Sequence, residues 1–335
     1  MHRLSALHAW VNETHPVSLE ALTPASSDAS FRRYFRLTRD GDTLIVMDAP
    51  PDKEDCHPFV AVAALFAEAG VHVPQVLRAD FEQGFLLLTD LGRTTYLDAI
   101  GAPQTAPATV QHLYRDALSA LVTLQRASRP GVLPEYDEAL LRREVGLFPE
   151  WYLTRHLGVT LDATEQQAYT QCVDALIANA LAQPRVFVHR DYHSRNLMVC
   201  PPNPGILDFQ DAVYGPITYD AVSLLKDAYV RWEEAQILDW LVRYWEEARA
   251  AGLPVDADFG NFYRDFEWMG VQRHLKVLGI FARLNHRDGK PGYLQDMPRV
   301  SQSLRDACAR YRELQPLAQV LDRIAGTAVQ VGYTF

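Results

Sequence analysis

The 335-residue chain has no Lys/Arg-rich run and carries a net charge of −10, so it lacks the basic footprint of a nucleic-acid binder. It has no apolar run of 18 residues, the length a membrane-spanning helix needs. Its four cysteines, Cys56, Cys172, Cys200 and Cys308, are scattered, with no Cys-x-x-Cys pair. That argues against a zinc site or a disulfide frame and for reduced, mostly buried thiols of a cytoplasmic protein. There is no internal repeat and no low-complexity segment. The first residues read as a short amphipathic helix, not a signal peptide. No obligate protein partner is evident.

What remains is ordinary globular composition, 48% hydrophobic and 22% charged, enough for two lobes. Residues 1–20 read as a helix. Residues 31–37 and 43–47 read as strands joined by a turn at Gly41, and 59–69 as an apolar helix ending at Gly70. Residues 73–77 and 85–88 read as further strands. From Pro107 onward the pattern is helical, over 109–127, 137–156, 163–182, 219–230, 234–251, 260–284 and 298–326. The exception is a strand cluster between 185 and 210. The expected fold class is α+β: a small β-rich lobe over 1–90 and a larger, mostly helical lobe over 91–335.

That strand cluster holds the chemistry. His189-Arg190-Asp191 is followed after four residues by Asn196, and twelve residues later by Asp208-Phe209. Apolar runs at 186–188, 197–199 and 206–207 flank these groups as buried strands. Phosphoryl transfer needs one carboxylate to orient the acceptor hydroxyl, and an amide and a second carboxylate to hold Mg²⁺ on the nucleotide phosphates. Asp191 fits the first role; Asn196 and Asp208 fit the second. A polar turn between core strands is the plainer alternative, but it leaves the position of Asp208 unexplained.

These residues, with the later Gly215-Pro216-Ile217-Thr218-Tyr219-Asp220, resemble the aminoglycoside/choline phosphotransferase branch of the protein-kinase-like fold. Within that branch, several stretches resemble the N-acetylmuramate/N-acetylglucosamine 1-kinases of bacterial peptidoglycan recycling. They are 28–36, 46–51, 85–92, Leu147 to Leu153, and Gln272 to Leu284. The resemblance implies an ATP- and Mg²⁺-dependent enzyme acting on the anomeric hydroxyl of a small amino sugar, with the lobe over 1–90 binding nucleotide. It places adenine on backbone groups near Leu88, Asp90 and Leu91. Asp220 is a structural candidate behind the catalytic loop, or a helix N-terminal carboxylate. Phosphorylation of another small alcohol, such as an aminoglycoside or a choline-like substrate, is the second reading. A non-catalytic, kinase-shaped binding protein is the third.

Two features depart from the wider kinase pattern. The first turn, Ser26 to Ser30, has no glycine, although Ser30 can still let backbone amides approach phosphate. The strand position that carries lysine in protein kinases is Met47, and the partner glutamate position falls near Phe59. The phosphates then need another cation, and Arg32, Arg33 and Arg36 supply candidates; Arg32 and Arg36 share one strand face and Arg33 takes the other. No Ala-Pro-Glu segment follows Asp208, which points to a small-molecule acceptor. On the acceptor side, His193 either contacts substrate or orders the loop. Glu144, Trp151 and Arg273 are further acceptor candidates. Trp151 is a possible sugar-stacking ring or a core aromatic. The cluster Arg273, His274 and Lys276 either meets an anionic group such as a lactyl carboxylate or is solvated at a helix edge.

Overall fold

The computed structural model describes residues 2–27, 31–39 and 41–326. The chain separates into two compact units. The first holds the described residues up to Leu124 together with Arg195–Ala212. The second holds Gln125–Ser194 and what is described from Val213 onward.

In the first unit, helix α1 (His2–Asn12) lies on an antiparallel sheet of order β1-β2-β3-β5-β4. The strands are β1 (Leu22–Ser27), β2 (Arg33–Arg39), β3 (Asp42–Asp48), β4 (Val76–Asp80) and β5 (Phe85–Thr89). Their period of two sorts side chains between faces. Leu37, Val46, Phe85 and Leu87 pack with Leu7, Trp10 and Val11 of α1. Met47, Leu86 and Leu88 alternate with that set and are also buried. Helix α2 (His57–Glu68) ends before Gly70, whose φ of +89° suits the chain reversal there. Helices α3 (Tyr96–Gly101) and α4 (Pro107–Arg126) follow. Thr95 and Asp98 cap α3 reciprocally, a short helix that apolar periodicity alone does not reveal.

The segment Arg195–Ala212, expected in the helical lobe, groups with this first unit because of its backbone pairing. Its two short strands, β7 (Leu197–Met198) and β8 (Gly205–Ile206), pair antiparallel. Ile206 N–H donates to His72 O at 2.7 Å, and Val199 N–H donates to Thr94 O at 2.9 Å.

In the second unit, β6 (Arg185–Val188) pairs antiparallel with β9 (Val213–Pro216). The rest is helical: α5 (Glu138–Val145), a π-helix (Phe148–His156), α6 (Ala163–Ala182), α7 (Tyr219–Leu225), α8 (Glu234–Ala250), α9 (Phe259–Asp288), α10 (Met297–Arg310) and α11 (Gln315–Ile324). The helix expected over 137–156 is therefore broken. Pro149 cannot donate to the preceding turn, and the chain re-forms with wider bonds, Leu157 N–H reaching Tyr152 O at 3.0 Å. The helix expected over 298–326 divides in the same way, ahead of Pro316. Helix α9 is the spine of this unit, burying Phe262, Phe266, Leu275, Leu278 and Phe281. Among the described residues no helix is long and apolar enough to cross a membrane.

Helix α9 approaches the start of the π-helix at Gly279. A Cβ there would sit 2.5 Å from both the carbonyl carbon and the Cβ of Leu147. Gly279→Ala should destabilise the fold by about 1–3 kcal/mol through overpacking. A lowered urea midpoint at unchanged slope is the expected result; an unchanged midpoint would show that the two segments part freely.

Candidate active site

The β7–β8 hairpin brings Asn196 and Asp208 to the same end of a two-residue ladder, because one precedes β7 and the other follows β8. Leu207 N–H donates to Asn196 O at 2.9 Å. The side chains meet with Asn196 Nδ2 3.5 Å from Asp208 Oδ2. Asp208 has φ of +63°, a left-handed conformation uncommon for a residue bearing Cβ. Phe209, fully buried, holds it there, with its ring 4.9 Å from Phe59 and 5.8 Å from Phe66 of α2. The other Asp208 oxygen accepts from Gln210 Nε2 at 2.9 Å and lies 3.3 Å from Arg32 Nη2.

The three arginines have different partners. Arg33 pairs with Asp48, as does Arg3 from α1. Arg36 is buried and clamps Asp90, with bonds of 2.5 and 3.0 Å, and also donates to Gly92 O. Burial alone would raise the Asp90 carboxyl; Arg36, Thr43 and the Gly92 amide hold it below the usual carboxylate range. Only Arg32 among the three pairs with the candidate metal carboxylate. Leu88 sits in β5 opposite Ile45, and Leu91 is buried two residues after β5. Ser30 lies outside the described residues.

In the second unit the loop after β6 is tied down residue by residue. Asp220 is fully buried and accepts from the backbone N–H of His189 at 2.6 Å and of Arg190 at 3.0 Å. Asp191 N–H donates to His189 Nδ1 at 3.2 Å, and His193 N–H to Asp191 O at 3.0 Å. Ser194 donates through its amide and its hydroxyl to buried Asp227 at 3.0 and 2.5 Å. Arg190 has φ of +77°, and with Asp208 it completes the non-glycine positive-φ positions among the described residues. Sequence pattern does not show this backbone strain, yet it falls on both candidate segments.

Burial would raise the Asp191 carboxyl. The charges of Lys276, His193, Arg273 and Arg190 outweigh it and hold Asp191 near a pKa of about 2. Asp220 moves the other way, pushed up to about 7 by burial against its two amide bonds. Glu144 is buried, and four donors fill its oxygens: Arg190 Nη2, Tyr136 Oη, Lys276 Nζ at 3.1 Å and Gln272 Nε2 at 3.4 Å. Trp151 is buried, with the Arg155 guanidinium 4.1 Å from its ring centroid. The His193 ring stands edge-on to Tyr229 at 5.3 Å. Arg273 is 3% exposed, and its Nε and Nη1 have no hydrogen-bond partner among the described residues.

Asp227 and the Tyr136, Tyr219 and Gln272 contacts escape sequence reasoning. The signal for Asp227 is an acid seven residues after Asp220, beyond an otherwise apolar stretch. Of the α9 cluster, His274 is buried and its pKa falls to about 3, through burial first and the nearby Lys226 charge second. It is neutral near pH 7, so it offers an anion no charge. The unfolded chain takes up this proton near pH 6.5 and the native chain does not. The contribution is therefore intact above pH 6.5 and lost progressively as pH falls toward 3. Urea midpoints of wild type should drop between pH 7.5 and 5, and His274→Gln should flatten that drop. An equal drop in both proteins would assign it to other groups.

Among the described residues no group of three metal-ligating acids, histidines or cysteines occurs. Mg²⁺ asks for less. It takes one or two carboxylates and completes its shell with phosphate oxygens and water, so the oxygens of Asn196 and Asp208 suit it.

The chain is similar to known proteins over most of its length. Residues 21–255 match the family model described as the phosphotransferase enzyme family. An N-acetylmuramate/N-acetylglucosamine kinase of Pseudomonas aeruginosa is 53% identical over 329 residues, spanning 95% of this chain and 96% of its own. One from Neisseria meningitidis serogroup B is 51% identical over 337 residues, spanning 100% of each chain. The solved structure of a choline/ethanolamine kinase family protein from Mesorhizobium loti matches with a TM-score of 0.62 at 15% identity, covering 96% of this chain and 99% of that one. The α+β, protein-kinase-like fold thus persists where sequence similarity is slight, and this chain belongs to the phosphotransferase enzyme family.

Proposed function

We propose that the protein is a cytoplasmic ATP-dependent kinase that phosphorylates the anomeric hydroxyl of N-acetylmuramic acid and N-acetylglucosamine in peptidoglycan recycling. The observation that carries this reading is the match, over nearly the whole chain, to relatives bearing that kinase name. In this assignment Leu88, Asp90 and Leu91 receive the adenine. Asn196 and Asp208 hold Mg²⁺, which when bound neutralises phosphate charge. Ser30 offers its amide to the phosphates.

Asp191 accepts the hydroxyl hydrogen and aims the oxygen at the γ-phosphorus. A carboxylate held near a pKa of about 2 is a weak base, so its main contribution is position. An anomeric hydroxyl is more acidic than the other sugar hydroxyls and suits such a base. The phosphoryl group passes to O1, ADP leaves, and the proton moves to Asp191. Arg273, with two open N–H groups, is the candidate contact for a lactyl carboxylate, and His193 lies two residues from Asp191.

Arg32 is the cation that replaces the strand lysine. Arg32→Ala should raise the KM for ATP about tenfold, the scale of one charge-assisted contact. Arg33→Ala and Arg36→Ala should chiefly lower stability, because their partners are Asp48 and Asp90. Normal ATP kinetics in Arg32→Ala would move the phosphate cation elsewhere.

The acceptor position has its own test. Free N-acetylmuramic acid and N-acetylglucosamine should be phosphorylated, methyl glycosides of N-acetylglucosamine should not, and ³¹P–¹H correlation should place phosphate on C1. Asp191→Asn should cut turnover by about 10² or more while nucleotide binding persists. Brisk reaction of the methyl glycoside would remove the anomeric assignment. No turnover across a panel of sugars, aminoglycosides and choline would favour a binding protein.

A further inference from the structure

Lys276 sits in the middle of α9 and is 6% exposed. A buried ammonium is costly unless charge and hydrogen bonds offset it. Here Nζ lies 3.1 Å from Glu144 Oε1 and donates to Tyr219 Oη at 2.9 Å. Burial would lower the Lys276 pKa, but Glu144 and Tyr219 raise it above the ordinary value, so the group stays charged. The Glu144 oxygen it touches is also the one bound by Arg190, the residue before Asp191.

Arg190 is therefore held at both ends. Asp220, the neighbour of Tyr219, takes its backbone N–H at 3.0 Å, and Glu144 takes its guanidinium. Between these anchors the backbone adopts φ of +77°. An arginine does not keep this conformation unless its surroundings impose it. Tyr136 completes the frame by donating to Glu144 and setting its ring edge-on to Tyr219 at 5.3 Å. Gly215 lets Tyr136 pack closely, since a Cβ there would lie 2.7 Å from the Tyr136 Cβ and 2.9 Å from its ring Cδ1.

We propose that Lys276 is a positioning residue for phosphoryl transfer: through Glu144 and Tyr219 it fixes the Arg190–Asp191 peptide and thereby the direction in which Asp191 presents its carboxylate. This rests on the assignment of Asp191 as the acceptor-orienting group. The charged groups around Asp191 are Lys276 and Arg273 from α9, Arg190 and His193 from its own loop, and Asp220 from α7. Removing Lys276 leaves Glu144 with a single cationic partner and frees the loop to turn.

The test is a double-mutant cycle in kcat. Lys276→Met alone should lower kcat about tenfold or more, the scale of lost alignment, with the KM for ATP within about twofold. In an Asp191→Asn background it should cost nothing further, because the group it positions is gone. A purely structural role would cost the same factor in both backgrounds and would overturn the proposal. So would an unchanged kcat, or a raised sugar KM at unchanged kcat, which would make Lys276 a direct acceptor contact. If Lys276→Met fails to fold, Tyr219→Phe removes one acceptor of the same ammonium. It should follow the same pattern with a smaller factor, and an effect independent of the Asp191 background would again refute the proposal. Should Asp191→Asn itself retain near-normal turnover, the functional assignment fails first. Loss in Asp191→Asn without loss in Lys276→Met or Tyr219→Phe sinks only the role of Lys276.

Discussion

A carboxylate that stays charged against desolvation is the constraint on which the second unit is built. Desolvation favours a proton on Asp191, and the charges of Lys276, His193, Arg273 and Arg190 oppose it. Lys276 and Arg273 come one helical turn apart on α9, and Arg190 adjoins Asp191 in the chain. Arg190 and Lys276 share one oxygen of Glu144, and Asp220 holds the loop through two backbone amides, so one chemical requirement spreads through α5, α7 and α9. That is why α9 carries arginine and lysine at positions that a core helix would fill with leucine.

The first unit solves a related problem with less charge. Protein kinases join the third strand to the following helix through a lysine and a glutamate. Here Met47 and Phe59 are both buried, and Phe209 packs at a tilt against Phe59 and Phe66, so α2 is joined to the Asp208 turn by aromatic packing. Apolar contact needs no desolvation offset, and losing both members of the ion pair together leaves no orphan charge. The neighbouring strand then divides its arginines by alternation. Within β2, Arg33 goes to Asp48 on the α1 side and Arg36 goes to Asp90 on the other, while Arg32, one residue ahead of the strand, lies 3.3 Å from Asp208.

Much of this was legible in the sequence, because the governing signals are local. His189, Asp191, Asn196 and Asp208 are fixed by offsets along the chain, and the flanking Val186 to Val188 and Ile206 declare themselves by apolar runs. The split of the arginines follows from a period of two. What could not be read depends on distant segments or on single residues. Pro149 and Pro316 break helices that the apolar period continues through. Strand β1 carries Pro24 and two serines and lacks a strand pattern, yet pairing with β2 makes it one. Glu144, an acceptor candidate on a helix of the large lobe, takes its four donors from residues 136, 190, 272 and 276. No spacing rule joins those positions.

The same distinction accounts for how function varies on this fold. The spacing of Asp191, Asn196 and Asp208 belongs to the chain's local geometry, while the fold itself is shared at 15% identity with a choline/ethanolamine kinase family protein. Around Asp191, α9 supplies the charges of Lys276 and Arg273. Along Gln272-Arg273-His274, successive side chains turn by about 100°. Gln272 goes to Glu144, His274 goes to the backbone of Lys226, and Arg273 acts on Asp191 and Asp220. Two of the three are spent on holding the unit together. Arg273 combines near-complete burial with Nε and Nη1 that have no hydrogen-bond partner among the described residues, and a buried donor without a partner is costly.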